Sequence, residues 1–251
     1  MPLSSIRYGA LAALVVVLGG CGRRHEASVT VAAASDLQFA LNEIAADFRA
    51  GHPGVDLRVV YGSSGNFYTQ IQNGAPFDVF LSADIDYARR LARRADAVFQ
   101  YAVGRIVLWV PPGSRLDPAA ALRDPKLKHL AIANPEHAPY GRAAETALRS
   151  MGLYDALKSK LVLGENIAQT FQFAQTGAAD AGIVALSLVM APQARGEGRY
   201  WEIPQALYPP MEQGGVLLHE TAVARQFRDA LLSPDGRRAL AQYGFSTTVA
   251  P

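Results

Sequence analysis

The chain has 251 residues, half of them apolar and 18% charged, with a formal net charge of +2. That length suffices for one large domain or two lobes with real cores, and the near-neutral balance argues against electrostatic binding to nucleic acid. One cysteine, Cys21, excludes an intrachain disulfide.

In chain order, Arg7 leads into the apolar run Ala10–Leu18, which is too short to span a bilayer comfortably. It reads as the h-region of a secretory signal peptide and closes on Leu18-Gly19-Gly20-Cys21. That ending resembles a bacterial lipobox, which implies cleavage before Cys21, lipidation of its thiol and a lipoprotein signal peptide over residues 1–21. An ordinary signal peptide that happens to contain a cysteine is the other reading. Both export the mature chain, with a net charge of +1 once Arg7 is gone.

Residues 28–34 form a β-branched and alanine run that predicts a buried strand. Leu37, Ala40, Leu41, Ile44, Ala45 and Phe48 then follow helical spacing, stopped by Gly51 and Pro53. Strands are predicted at 55–61 and 78–82, with helices at 65–73 and 84–94. The basic cluster Arg89-Arg90-Leu91-Ala92-Arg93-Arg94 is most simply a solvated helix face. After a strand at 106–110, Pro111-Pro112-Gly113 breaks the pattern and a second alternation begins. Strands fit 129–133, 160–163 and 181–185, and helices fit 141–150 and 167–175. A polar stretch at 193–199 precedes a returning strand at 214–218 and helices near 221–232 and 234–243. Such alternation means βαβ units and parallel sheets covered on both faces. The spacing shows two alternating blocks, without a fixed-period repeat.

Enzyme chemistry finds little purchase. Gly62-Ser63-Ser64-Gly65 has the wrong spacing for a nucleophile elbow, and there is no P-loop or G-x-G-x-x-G. His25, His52, His129, His137 and His219 are scattered without metal-ligand spacing, and Asp78 and Asp84 read as caps flanking an apolar strand. What recurs is a small or hydroxyl residue where a predicted strand feeds a predicted helix. The four places are Ala34-Ser35-Asp36, Gly62-Ser63-Ser64-Gly65, Ala138-Pro139-Tyr140-Gly141 and Glu165-Asn166-Ile167-Ala168. In an open α/β sheet these junctions share one edge, and helix N-termini offer unpaired N–H groups and positive dipole ends to an anion. Taken singly, Ser35 and Asn166 read as caps, Ser63 and Ser64 as a turn, and Tyr140 as a packed ring.

Together, Val31–Ser35, Tyr61–Gly65, Gly74–Asp84, Ala131–Gly141, Gly182–Val184 and Tyr243–Phe245 resemble the periplasmic molybdate-binding proteins of ABC transporters over nearly the whole mature chain. The resemblance implies a two-lobed periplasmic-binding-protein-like II fold of class α/β. Each lobe would be a mixed, mainly parallel sheet flanked by helices, with the ligand cleft between them. Lobe one would comprise 27–108 and 215–251, and lobe two 109–214. It further implies an oxyanion held by neutral hydrogen bonds from Ser35 and Ser64 of lobe one and from Tyr140 and Ile167 of lobe two, with Asp36 and Ser63 as additional candidates. Molybdenum or tungsten would enter only inside the oxyanion, without a direct protein ligand and without a cofactor. The implied partner is an inner-membrane ABC permease, and the implied state is a periplasmic monomer with a lipid anchor. Another oxyanion such as sulfate or phosphate, or a sensor or enzyme on the same fold, is the alternative. Two departures stand out: Ala185 where many members carry tyrosine, and Tyr140, whose phenol could supply that missing donor. Asp36 would repel a dianion if its carboxylate pointed inward, so it is expected to turn outward and bond its own backbone.

Overall fold

The computed structural model describes residues 27–246. The expected signal peptide, Cys21 and His25 lie outside them, as does the tail from 247 onward. The first block runs β1 (Ala27–Ala34), α1 (Gln38–Gly51), β2 (Val55–Gly62), α2 (Ser64–Gln72), β3 (Val79–Ser82), α3 (Ile85–Leu91) and β4 (Val98–Gly104). The second runs β5 (Ile106–Val110), β6 (Leu130–Ala133), α4 (Pro139–Ser150), α5 (Tyr154–Leu157), β7 (Leu161–Gly164), α6 (Ile167–Gln175), β8 (Ala181–Ala185), α7 (Leu186–Val189) and β9 (Arg199–Glu202). Finally, β10 (Met211–Leu217), α8 (Ala222–Leu232) and α9 (Pro234–Gln242) close the described chain.

The strands pair into two five-stranded sheets of order β2-β1-β3-β10-β4 and β7-β6-β8-β5-β9. Within each, four strands run one way and a single strand runs against them, pairing antiparallel with both neighbours: β10 with β3 and β4, and β5 with β8 and β9. The fold class is therefore α/β, with two mixed sheets flanked by helices. The chain changes sheets at Arg105 and has returned by Met211. Two strands went unforeseen. β4 carries Gln100 and Tyr101 inside an otherwise apolar run, and β9 is a polar edge strand of mostly exposed residues. The helix expected to reach Arg94 ends at Leu91, and Arg89, Arg90, Arg93 and Arg94 are exposed, as a solvated face should be.

Both faces of each sheet are covered, which is why β1, β3, β5, β6 and β8 read as continuous apolar runs instead of alternating. On one face of the first sheet α1, α8 and α9 pack together, with Phe48 and Phe227 edge to face at 5.4 Å. On the other, Phe80 of β3 meets Phe67 of α2 and Phe77. The second sheet buries Trp109 against Phe171 of α6, ring centroids 5.1 Å apart. Phe80 is fully buried at the centre of its sheet. Phe80→Ala should cost about 3 to 5 kcal/mol in urea unfolding through lost burial and the cavity left behind. A loss below about 1 kcal/mol would mean that this face is not core.

Candidate functional site

The site is made where strands end. β1 passes at Ala34 into a 3-10 turn over Ser35–Leu37, and β2 ends at Gly62, after which Ser63 caps α2 and Ser64 opens it. In the other sheet, Ala138 caps α4 with Pro139 and Tyr140 in its first turn, while Asn166 caps α6 and Ile167 opens it. Proline suits that first position because its missing N–H had no intrahelical acceptor anyway. All four junctions leave the carboxyl edge of a parallel strand, and the two edges face each other. Ser35, Asp36, Ser63, Ser64, Tyr140 and Ile167 all line one small cavity of about 10 Å³, together with Ala83 and Asn166. No lysine or arginine lines it.

The hydroxyls divide into those that face the cavity and those that tie the lobes. Ser64 Oγ accepts from the Ala83 N–H at 3.0 Å, and among the described residues no acceptor takes its own hydrogen, which leaves it as a donor. Ser35 Oγ spans the cleft, donating to Asn166 Oδ1 at 3.2 Å and accepting from Ala168 N–H at 3.3 Å. Asn166 Oδ1 also accepts from the N–H groups of Ala168 and Gln169, the expected capping role. Ser63 donates to the His137 carbonyl at 2.6 Å, a bond that joins the lobes.

Two expectations need correction. Asp36 does not turn outward: it is 1% exposed, and its Oδ2 accepts from Tyr140 OH at 2.9 Å and from Gln213 Nε2 at 2.6 Å. The turn that begins at Ser35 directs the next side chain into the seam, where these two donors join the backbone amides of residues 36 and 37 around the carboxylate. The Tyr140 phenol is thereby committed to Asp36. Gln213 of β10 was missed, because the predicted strand began one residue later; a lone glutamine beside Gly214-Gly215 in a buried strand was the available signal. Gln213 Nε2 also reaches Tyr140 OH at 3.2 Å. Burial raises the Asp36 carboxyl to about 6, although its bonds to Gln213 and Tyr140 pull the other way. Burial, reinforced by the Asp36 charge, pushes the Tyr140 phenol well above its usual value.

Around the cradle the lobes are stitched by further bonds. Gly65 N–H donates to the His137 carbonyl at 2.9 Å, Asn66 Nδ2 donates to Glu165 Oε1, and His137 Nε2 lies 3.0 Å from the Glu165 carbonyl. Arg142 pairs with Asp84 at 2.7 Å and reaches Tyr87 OH at 3.2 Å. Asp84 is also the expected cap, accepting from Asp86 N–H, whereas Asp78 instead holds the Thr30 N–H of β1 at 2.8 Å. Arg142 and Asp84 border a groove of about 330 Å³ between the lobes, beside the cradle. Among the described residues no cluster of histidine, cysteine and carboxylate groups could hold a metal ion, and no helix is long and apolar enough to cross a membrane.

Asp36 also makes stability depend on pH. Its folded pKa of about 6 lies above the usual 3.8, so the folded state holds the proton more tightly. The resulting stabilisation is full below the unfolded value and is lost as pH rises through the folded one, a difference on the order of 3 kcal/mol. Asp36→Asn should therefore raise the melting temperature at about pH 7.5 and change it little at about pH 4. An equal shift at both values would sink this account.

The geometry can be set beside known proteins. Residues 29–246 match the family model described as bacterial extracellular solute-binding protein. The molybdate-binding protein ModA of Rhodobacter capsulatus is 39% identical over 252 residues, covering 97% of each chain. That of Azotobacter vinelandii is 41% identical over 249 residues, covering 94% of this chain and 97% of the relative. The solved structure of the Azotobacter vinelandii periplasmic molybdate-binding protein superposes with a TM-score of 0.81 at 32% identity, covering 88% of this chain and all of that one. With the family model spanning nearly every described residue, the chain belongs to the bacterial extracellular solute-binding proteins.

Proposed function

We propose that this protein is the extracytoplasmic receptor that captures molybdate or tungstate and delivers it to an ABC permease. The observation that carries the reading is the cradle itself: the starts of three helices and one 3-10 turn, drawn from both lobes, around a small cavity lined by no basic side chain. The first amides of a helix have no intrahelical acceptor, so Ser35, Ser64, Tyr140 and Ile167 offer N–H donors and the positive ends of helix dipoles. The Ser64 hydroxyl adds a further hydrogen. Relatives of about 40% identity that carry the name molybdate-binding support the choice of anion. A tetrahedral anion larger than sulfate would engage donors on both sides at once, whereas sulfate or phosphate would leave some stretched.

The protein works by binding and release, without catalysis and without a cofactor. Lobe one comprises 27–104 and 211–246, lobe two the residues between, and closure is a hinge motion at the two crossings. We place it in the periplasm as a monomer, tethered through lipid on Cys21, with no role for nucleic acid.

The melting temperature of the mature protein with molybdate, tungstate, sulfate and phosphate at equal concentration tests the reading. A ligand at a hundredfold excess over its Kd stabilises by about 2.7 kcal/mol, so molybdate and tungstate should raise the melt and the smaller anions should not. A rise with sulfate or phosphate alone would reassign the ligand. Ser64→Ala removes a buried donor to a charged oxygen and should weaken molybdate binding by roughly 10- to 150-fold without unfolding the protein. Ser35→Ala should act in the same direction. Unchanged affinity in both variants would remove this site.

A further inference from the structure

Asp36 raises a problem that the receptor reading does not solve: a buried carboxyl lines a cavity meant for a dianion. Its two oxygens are unequal. Oδ2 takes the Tyr140 hydroxyl and the Gln213 amide, whereas Oδ1 is buried and has no partner among the described residues. The turn that carries it also presents Ser35 to the cradle, and the Ser187 hydroxyl donates to the Asp36 carbonyl at 2.8 Å, fixing the backbone. The side chain is thus held in place beside the ligand position with one oxygen unengaged.

We propose that Asp36 enters the loaded site as a neutral carboxylic acid whose Oδ1–H donates to the bound oxyanion, so that capture of each dianion takes up one proton. This rests on the receptor reading above. The proton comes from solvent as the anion binds and returns to solvent on release; the only covalent bond made or broken is Oδ1–H. An ionised carboxylate would set a third negative charge against the anion, while the acid removes that repulsion and supplies a donor where none exists. A carboxyl kept neutral by its surroundings so that it can donate is a known device in buried sites.

The groups that face Asp36 leave its titration in its own hands. They are the Tyr140 phenol from α4, the Tyr101 phenol from β4, the neutral Gln213 from β10, the Ser187 hydroxyl from α7 and the amides of residues 36 and 37, with no cation among the described residues acting on it. Tyr101 is itself engaged, donating to the Ser82 carbonyl at 2.9 Å. Burial has already brought the carboxyl to about 6, and an adjacent dianion displaces it further upward.

Calorimetric titration of the mature protein with molybdate at about pH 7.5, in buffers of different ionisation enthalpy, reads the proton directly. Uptake should approach one proton per anion, and Kd should rise toward about tenfold per pH unit above about pH 6. Asp36→Asn should bind with no uptake and a flat pH profile. Tyr140→Phe, which removes a donor from the ionised form, should keep the uptake and move the Kd profile to higher pH. Molybdate binding with buffer-independent heat in the wild-type protein would overturn the inference while leaving the receptor reading intact. Uptake that persists in Asp36→Asn would assign the proton elsewhere and overturn it too. No binding of molybdate at all would overturn the receptor reading and this inference with it.

Discussion

Helix amides that have no acceptor of their own govern this molecule. A parallel strand followed by a helix delivers those amides to the carboxyl edge of its sheet, and the fold does this twice in each lobe, after β1, β2, β6 and β7. Two sheets with matching strand order then set their edges face to face. Backbone donors cost no side-chain entropy to position and carry no charge that must be desolvated. A cradle made of them can strip water from a dianion and still release it, because nothing in it forms an ion pair. The absence of lysine and arginine from the lining is therefore informative: a cation would bind more strongly and discriminate less by shape.

The same junctions hold the lobes together. Ser63 and Gly65, at the start of α2, both donate to the His137 carbonyl just before α4. Ser35 reaches the cap of α6 through Asn166 and Ala168. Gly65 is required by this closeness, since a Cβ there would lie 2.5 Å from the His137 carbonyl oxygen. The proposed cradle and these inter-lobe bonds are made by neighbouring atoms of one set of residues, so that a ligand completing the cradle would also favour the closed arrangement. Arg142, paired with Asp84 at the rim, is partly exposed and serves mainly to set register across the cleft.

Much of this was legible in the sequence because the signals were local. Buried strands such as Ile106–Val110 are continuous apolar runs, and helices such as α6 start and stop where caps and spacing say they should. The hydroxyl-bearing junctions were visible for the same reason, and all of them line one cavity. What escaped depended on distance. β4 and β9 are edge strands whose polar residues hide the pattern, and the shared topology of the two sheets leaves no sequence period because their loops differ in length. Asp36 was misjudged in direction because its partners lie 104 and 177 residues away, on α4 and β10. No window of local sequence holds both donors.

That long-range cluster also explains choices that look odd in isolation. Gly104 ends β4 with no side chain because a Cβ there would crowd the Tyr140 hydroxyl and come within 2.7 Å of Gln213 Nε2. Gln213 lies fully buried in β10 between Glu212 and Gly214, a position where a hydrophobic side chain would pack more favourably. A polar residue retained there, with its Oε1 lacking a partner among the described residues, costs stability that its bonds to Asp36 and Tyr140 offset only in part. Tyr140 belongs to lobe two, whereas Asp36 and Gln213 belong to lobe one, so the cluster is complete only when the lobes meet. In the proposed receptor, the protonation state of one carboxyl, the placement of the α4 amides and the closure of the cleft would therefore be a single coupled event.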